Sequence, residues 1–246
     1  MTQMEKGRFF DRQYEAMAGE EAGALDHPLY RYLLPYAATR VGVATALLAG
    51  RLFQDVLDLG CGQGQLLASA SASFARYTGL DISEYQLAAV PEDLRARTDV
   101  TLRQADLDAP LPFGAAAFDL CVSLSTIEYV RDPMAFVGEA ARVLRPGGTL
   151  LLHTMNLAFL PRRVQLLVGR LPTFNAAVGW QGGVLHQFTF PTLRRLVSDA
   201  GFEIEQERCA GLVPRLRMWW PNALASDILL LARRSGVSPA PSPAHA

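Results

Sequence analysis

The chain has 246 residues, half of them hydrophobic, which suits one α/β domain with appendages and a sizeable core. Its 23 basic and 24 acidic residues leave a formal net charge of −1, which excludes the basic excess of a nucleic-acid footprint. No apolar stretch reaches the length of a membrane span and the N-terminus lacks signal-peptide character, so a cytoplasmic protein without a transmembrane segment is expected.

Residues 1–50 read as a helical cap, interrupted at Gly19, Gly23 and Pro28. Phe9, Phe10, Asp11 and Tyr14, then Tyr30, Tyr32 and Tyr36, give this stretch an aromatic character suited to an amphipathic helix covering a sheet. His27 precedes Pro28 and has no motif around it.

Residues 51–234 form the main domain. Val56 to Leu59 is a short apolar run carrying Asp58, and it breaks into glycines at alternate positions, Gly60, Gly62 and Gly64. That pattern predicts a buried strand of a parallel sheet followed by a tight turn that a ligand can approach closely. The segment from Gln65 to Phe74 is helical in character. Strand, glycine turn and helix together make a nucleotide cradle at the carboxyl end of a sheet. The dinucleotide fingerprint G-x-G-x-x-G would place its third glycine at position 65, which is Gln65, so the spacing disfavours a dehydrogenase. Cys61 sits in the turn, and Cys121 and Cys209 sit in distant apolar runs. The three lack metal-ligand spacing, so reduced thiols and no metal site are expected.

Tyr77 to Leu80 is a second short strand ending in Asp81, whose carboxylate suits a ribose diol. Val100 to Gln104 is a third, followed by Asp106, which suits an exocyclic amine such as that of adenine. A fourth strand, Phe118 to Ser123, leads into Ser125 to Val130. A fifth, Thr149 to Thr154, follows the Pro146-Gly147-Gly148 turn and carries His153 on the ligand side of the sheet.

Residues 155–190 interrupt the alternation. Leu157 to Leu171 mixes apolar residues with Arg162, Arg163 and Arg170. Such a segment reads as a lid, as a peripheral membrane contact or as a subunit contact, and its arginines as partners of an anionic acceptor or as a solvated face. The Gly182-Gly183 pair would serve as a hinge. Thr192 to Ala200 is a helix stopped by Gly201, and Phe202 to Cys209 and Ala225 to Arg233 are the last two strands. Residues 235–246, mostly Ser, Pro and Ala, read as a disordered tail.

Val-Leu-Asp-Leu-Gly-Cys-Gly-Gln-Gly at 56–64, Gly-Leu-Asp-Ile-Ser at 79–83, Ala-Asp-Leu-Asp at 105–108 and Leu-Arg-Pro-Gly-Gly-Thr-Leu at 144–150 occur in one register. Together they resemble the successive motifs of class I S-adenosylmethionine-dependent methyltransferases, from about Phe53 to Ala232. The resemblance implies a doubly wound, seven-stranded, mostly parallel Rossmann-like sheet with S-adenosylmethionine across its first strand ends. It implies that Asp58, Gly60, Cys61, Gly62 and Gly64 hold the methionine and ribose portions. Asp81 would take the ribose, Ile82 and Leu107 the faces of the adenine, Asp106 its amine, and Ser123 further backbone contacts. Tyr14, in a Phe-Asp-x-x-Tyr run, would close over the methionine end. The acceptor would be a small molecule, lipid-like or sugar-like, methylated on oxygen or nitrogen. Many relatives carry Glu-His where this chain has Glu128-Tyr129, and Tyr129 either fills that place or packs on the next helix. His186 resembles a histidine that approaches the acceptor. It ranks above His153 as the general base, imidazole being suited to that work near neutral pH. The competing reading is a cofactor-binding or partner-activating protein of the same fold without turnover.

Overall fold

A computed structural model describes residues 2–24 (side chains as far as Glu15), 39–172, 184–211 and 220–235. The expectations for His27, Tyr30, Tyr32, Tyr36, the Gly182-Gly183 hinge and the tail beyond Ser235 lie outside the described residues. The described parts of 1–50 are two helices, α1 (Gln3–Ala24) and α2 (Arg40–Leu48).

Seven strands form one sheet: β1 (Phe53–Leu59), β2 (Phe74–Asp81), β3 (Val100–Gln104), β4 (Phe118–Leu124), β5 (Leu144–Met155), β6 (Phe202–Ala210) and β7 (Asp227–Arg234). Their order is β3-β2-β1-β4-β5-β7-β6. The first five pair in parallel, while β7 is antiparallel to both β5 and β6. The chain moves outward from β1 to β3 and then returns to β4 on the other side of β1. That reversal opens a crevice at the carboxyl ends of β1 and β4, where ligands of such sheets collect.

The central strands are mostly apolar because helices cover both faces. Alternate residues divide between two cores. Leu57, Leu59, Cys121, Leu150, Leu152, Ile228 and Leu230 pack on one side with α6 (Pro133–Val143) and α8 (Phe190–Asp199). Val56, Tyr77, Leu120, Val122, Leu151, Leu229 and Leu231 pack on the other with α2 and α3 (Gln65–Ala70). α6 begins where Asp132 accepts from Met134 N and Ala135 N at 2.9 and 3.0 Å, with Pro133 preset for a first helical turn. α8 buries Phe190, Leu193 and Val197 at helical spacing. Shorter helices α4 (Glu84–Ala88), α5 (Glu92–Arg95), α7 (Leu160–Leu167) and α9 (Pro221–Leu224) fill the connections.

Several boundaries differ from the sequence reading; β2, for one, starts at Phe74, expected to end a helix, rather than at Tyr77. β5 starts at Leu144 rather than Thr149, and the expected turn survives as a bulge, since pairing jumps from Phe118↔Leu144 to Leu120↔Thr149. In the 155–190 insertion only Leu160–Leu167 and Phe190, which opens α8, are helical among the described residues. No helix among the described residues is long and apolar enough to cross a membrane.

Gly79, inside β2, sets how closely the glycine turn approaches the sheet. A Cβ there would lie 2.8 Å from Cys61 Sγ and 2.9 Å from Leu102 Cδ2. We expect Gly79→Ala to cost about 1–3 kcal/mol by overpacking. Gly114→Ala, at a position with nothing within 4 Å, should leave stability nearly unchanged. Urea melts of the two variants beside the wild type check this, and equal midpoints would refute it.

Candidate active site

The carboxyl ends of β1, β2 and β4 open into a cavity of about 620 Å³, within the size range of small-molecule sites. Asp58, Gly60, Cys61, Gly62, Asp81, Ile82, Asp106, Leu107 and Tyr14 all line it. The structure therefore brings together nine of the eleven residues expected at a cofactor.

The turn after β1 folds back onto β2. Gly60 N and Cys61 N both donate to Leu80 O, at 2.7 and 3.0 Å, and Gly62 N donates to Asp81 Oδ2 at 2.8 Å. At Gly60, φ is +83° and a Cβ would stand 2.0 Å from Thr126 Oγ1, so only glycine fits. Gly64 corrects the expectation that all three glycines face a ligand. It lies off the cavity as the left-handed N-cap of α3.

Asp58 is 3% exposed and its Oδ2 accepts from the Tyr77 hydroxyl at 2.7 Å. Burial, with the Asp81 charge beside it, pushes its pKa up to about 7 against the opposing effect of Tyr77. Burial also raises Asp81, against the amides of Ser83, Gly62 and Ile82. Burial holds the Cys61 thiol well above its usual value and raises the Tyr14 phenol.

α1 closes the side of the cavity that Asp106 and Leu107 line. Lys6 Nζ pairs with Asp106 Oδ1 at 2.6 Å and Asp108 Oδ2 at 2.5 Å. Asp11 Oδ1 accepts from Ser83 Oγ at 2.5 Å and from Tyr85 N at 3.3 Å. Phe10 meets Tyr129 edge-on at 5.8 Å, so Tyr129 packs on α1 as well as lining the cavity.

Ser123 is corrected. It is fully buried and off the cavity, because β4 runs one residue further and Leu124, Ser125 and Thr126 form the rim instead. His186 is corrected too: it does not line the cavity, and its Nε2 lies 3.1 Å from Arg131 O on the outer side. Its backbone is what matters there. Leu185 N and His186 N both donate to Glu128 O, at 2.8 and 3.1 Å. His153 is fully buried between Ser125 Oγ, 3.0 Å from Nδ1, and Asp227 Oδ1, 3.4 Å from Nε2. It reaches the cavity only through those two residues, which line it.

Glu128, Asp227, Lys6 and Arg40 line the cavity and were missed as site residues. Glu128 is 2% exposed; Thr154 Oγ1 donates to its Oε2 at 3.1 Å, and among the described residues Oε1 has no hydrogen-bond partner. Burial raises its pKa, and His153, Thr154 and Arg40 offset this only in part. Burial also acts to raise Asp227, but His153, Ser226 and Arg162 outweigh it and hold that carboxyl below its ordinary value. Arg162 is not placed for an anionic acceptor. Its Nη1 donates to Asn156 O and Ser226 O, both at 2.7 Å. Among the described residues no group of three His, Cys, Asp or Glu is arranged to hold a metal ion.

Residues 57–152 match the model of the methyltransferase domain family. That match and the fold together support a class I S-adenosylmethionine-dependent methyltransferase. It is 35% identical over 158 residues to a Mycolicibacterium smegmatis protein named a probable S-adenosylmethionine-dependent methyltransferase, covering 64% of this chain and 54% of that one. It is 34% identical to the ubiquinone biosynthesis O-methyltransferase of Aromatoleum aromaticum, covering 45% of this chain and 48% of that one. The chain thus spans about half the length of the curated relatives it matches. An S-adenosylmethionine-dependent methyltransferase of Mesorhizobium loti shares the fold with a TM-score of 0.60 at 22% identity, over 80% of this chain and 99% of that one.

Asp58 generates a prediction about pH. Its pKa in the folded protein is raised from 3.8 to about 7, so the folded state binds the proton more tightly than the unfolded state. Stability should fall as pH rises between those values, by up to about 1.4 kcal/mol per pH unit from this group. Asp58→Asn should flatten that decline. Urea midpoints of ligand-free protein at several pH values across that window test it, and an unchanged slope in the variant would refute it.

Proposed function

We propose that this chain transfers the methyl group of S-adenosylmethionine to an oxygen or nitrogen atom of a small, apolar acceptor. The observation that carries the reading is the single cavity, which joins the carboxylates at the ends of β1 and β2 to a second polar end beside β5 and β7. The residues present fit the cofactor. Each oxygen of Asp81 accepts one amide, from Gly62 and from Ser83 at 2.8 and 2.9 Å. A carboxylate oxygen has a further acceptor position, so two ribose hydroxyls can be met. Asp58 and the turn at Gly60 to Gly62 would hold the methionine end, with Tyr14 above it. Ile82 and Leu107 would flank the adenine. Asp106 Oδ1 already accepts from Lys6 and from Asp108 N, which leaves its other oxygen to the adenine amine. The bound cofactor supplies an activated methyl group, so the protein's own task is to hold the acceptor in line and remove its proton.

Relatives named O-methyltransferases support a hydroxyl oxygen as the acceptor atom. The segment that follows β5 in the chain supports an apolar, membrane-dissolved molecule. Leu167, Val168 and Leu171 are 84%, 66% and 69% exposed. Residues 157–172 hold three arginines and no acid, a composition suited to an anionic lipid surface.

S-adenosylmethionine should bind with 1:1 stoichiometry. Asp81→Ala should weaken it by about 1–3 kcal/mol through loss of charge-assisted hydrogen bonds. Calorimetry on folded variant and wild type decides, and no binding by the wild type would overturn the reading. The protein should also sediment with phosphatidylglycerol vesicles more than with phosphatidylcholine vesicles. A Leu167→Glu, Leu171→Glu double variant should lose that preference. Equal sedimentation of wild type and variant would remove the membrane from the proposal.

A further inference from the structure

The acceptor end of the cavity carries a buried carboxylate with an unused oxygen. Glu128 lies in a one-turn 3-10 helix, Ile127–Tyr129, just past β4, and it lines the cavity. Its placement is fixed from three sides. Ile127 is fully buried beneath it, Thr154 holds Oε2 at 3.1 Å, and the amides of Leu185 and His186 hold its carbonyl. Among the described residues Oε1 has no hydrogen-bond partner, although the residue is 2% exposed. A buried carboxylate oxygen with no donor is costly unless a ligand supplies one.

We propose that Glu128 Oε1 receives the N–H or O–H of the methyl acceptor and takes its proton, making this end of the cavity a subsite for neutral or cationic acceptors and closing it to carboxylates and phosphates. This rests on the methyltransferase reading. When the acceptor's oxygen or nitrogen bonds the methyl carbon, the carbon–sulfur bond breaks with its electron pair left on sulfur. The acceptor's proton moves to Oε1 and later leaves to water. Asp227 lines the same end and adds to its negative character. The charged and titratable groups facing Glu128 are His153, Arg40, Arg162 and Tyr14. Their net effect leaves its carboxyl above the ordinary carboxylate range, which makes it a better proton acceptor than an exposed glutamate. The two histidines are worse placed: His186 stands outside the cavity, and His153 is screened by Ser125 and Asp227.

Three probes that differ only in their polar group test the subsite: benzylamine, benzyl alcohol and benzoate. Each is titrated by ligand-observed NMR into protein saturated with S-adenosylhomocysteine. Wild type should bind the amine and the alcohol in preference to benzoate. Glu128→Gln should weaken benzylamine by about tenfold while leaving S-adenosylhomocysteine affinity within about twofold, which also reports that the variant folds. Glu128→Asp keeps the charge and should retain the preference for the amine, a second route if the glutamine variant is unstable. Benzoate bound as tightly as the alcohol, an unchanged order in Glu128→Gln, or no probe bound to the loaded wild type would each overturn the proposal. Failure of the wild type to bind S-adenosylhomocysteine would instead strike the underlying function.

Discussion

Asp58 and Asp81 are buried side by side at the ends of adjacent strands, and two carboxylates so placed disfavour each other's ionisation. Among the described residues neither forms a salt bridge with a basic side chain. The protein meets them with dipoles: the Tyr77 hydroxyl on Asp58, and the amides of Gly62 and Ser83 on Asp81. The glycine turn follows from this. To bring Gly62 N to Asp81, the chain must reverse directly over the end of β2, with Gly60 N and Cys61 N both spent on Leu80 O. The turn is thus preorganised by the protein's own hydrogen bonds before any ligand arrives. A cationic ligand then relieves a repulsion that dipoles only moderate.

The fold and the cofactor side were legible because both are written in local pattern. Apolar runs ending in Asp58 and Asp81, each at the carboxyl end of a parallel strand, place their carboxylates at one edge of the sheet by topology alone. The acceptor side was not legible. Glu128 sits in Ser-Thr-Ile-Glu-Tyr-Val, where a single carboxylate among apolar neighbours reads equally well as surface. Only the packing of Ile127 and the distant Thr154 decide that it is buried. His186 was misread for the complementary reason. A histidine near the acceptor-side segment invites a catalytic role, yet the backbone of that segment, not its imidazole, is what engages Glu128. Ser123 failed by one residue, since strand ends set by apolar character alone are uncertain at that scale.

The two ends of the cavity are closed by different kinds of contact. α1 is held over the cofactor end mainly by polar ties, Lys6 to Asp106 and Asp108 and Asp11 to Ser83 and Tyr85, with Phe10 as its buried anchor. Lys6 is 15% exposed and its partners Asp106 and Asp108 are 13% and 3% exposed, so these pairs are largely buried, and losing one partner would leave charge away from water. The end beside Glu128 is instead closed by backbone pairing: Leu157 N to Phe188 O at 2.8 Å, and the two amides on Glu128 O. Ladder-like contacts of this sort fix position rather than gate it.

The direction of β7 explains why an acid stands at the end of the cavity beside β5 and β7. In a wholly parallel sheet every strand presents its last residues to the ligand edge. Because β7 runs antiparallel, it presents its first residue, Asp227, which pairs in register with Met155 at the end of β5. His153 lies two residues earlier on β5 and so shares a face with Met155, opposite Leu229. The diagonal neighbour of His153 across the ladder is therefore Asp227, and the 3.4 Å approach of the two side chains is a consequence of register. Ser125, past the end of β4, completes the contact from the parallel side. A rule that searches only for acids at the carboxyl ends of strands finds Asp58 and Asp81 and passes over Asp227, which sits at the same edge because its strand runs the other way.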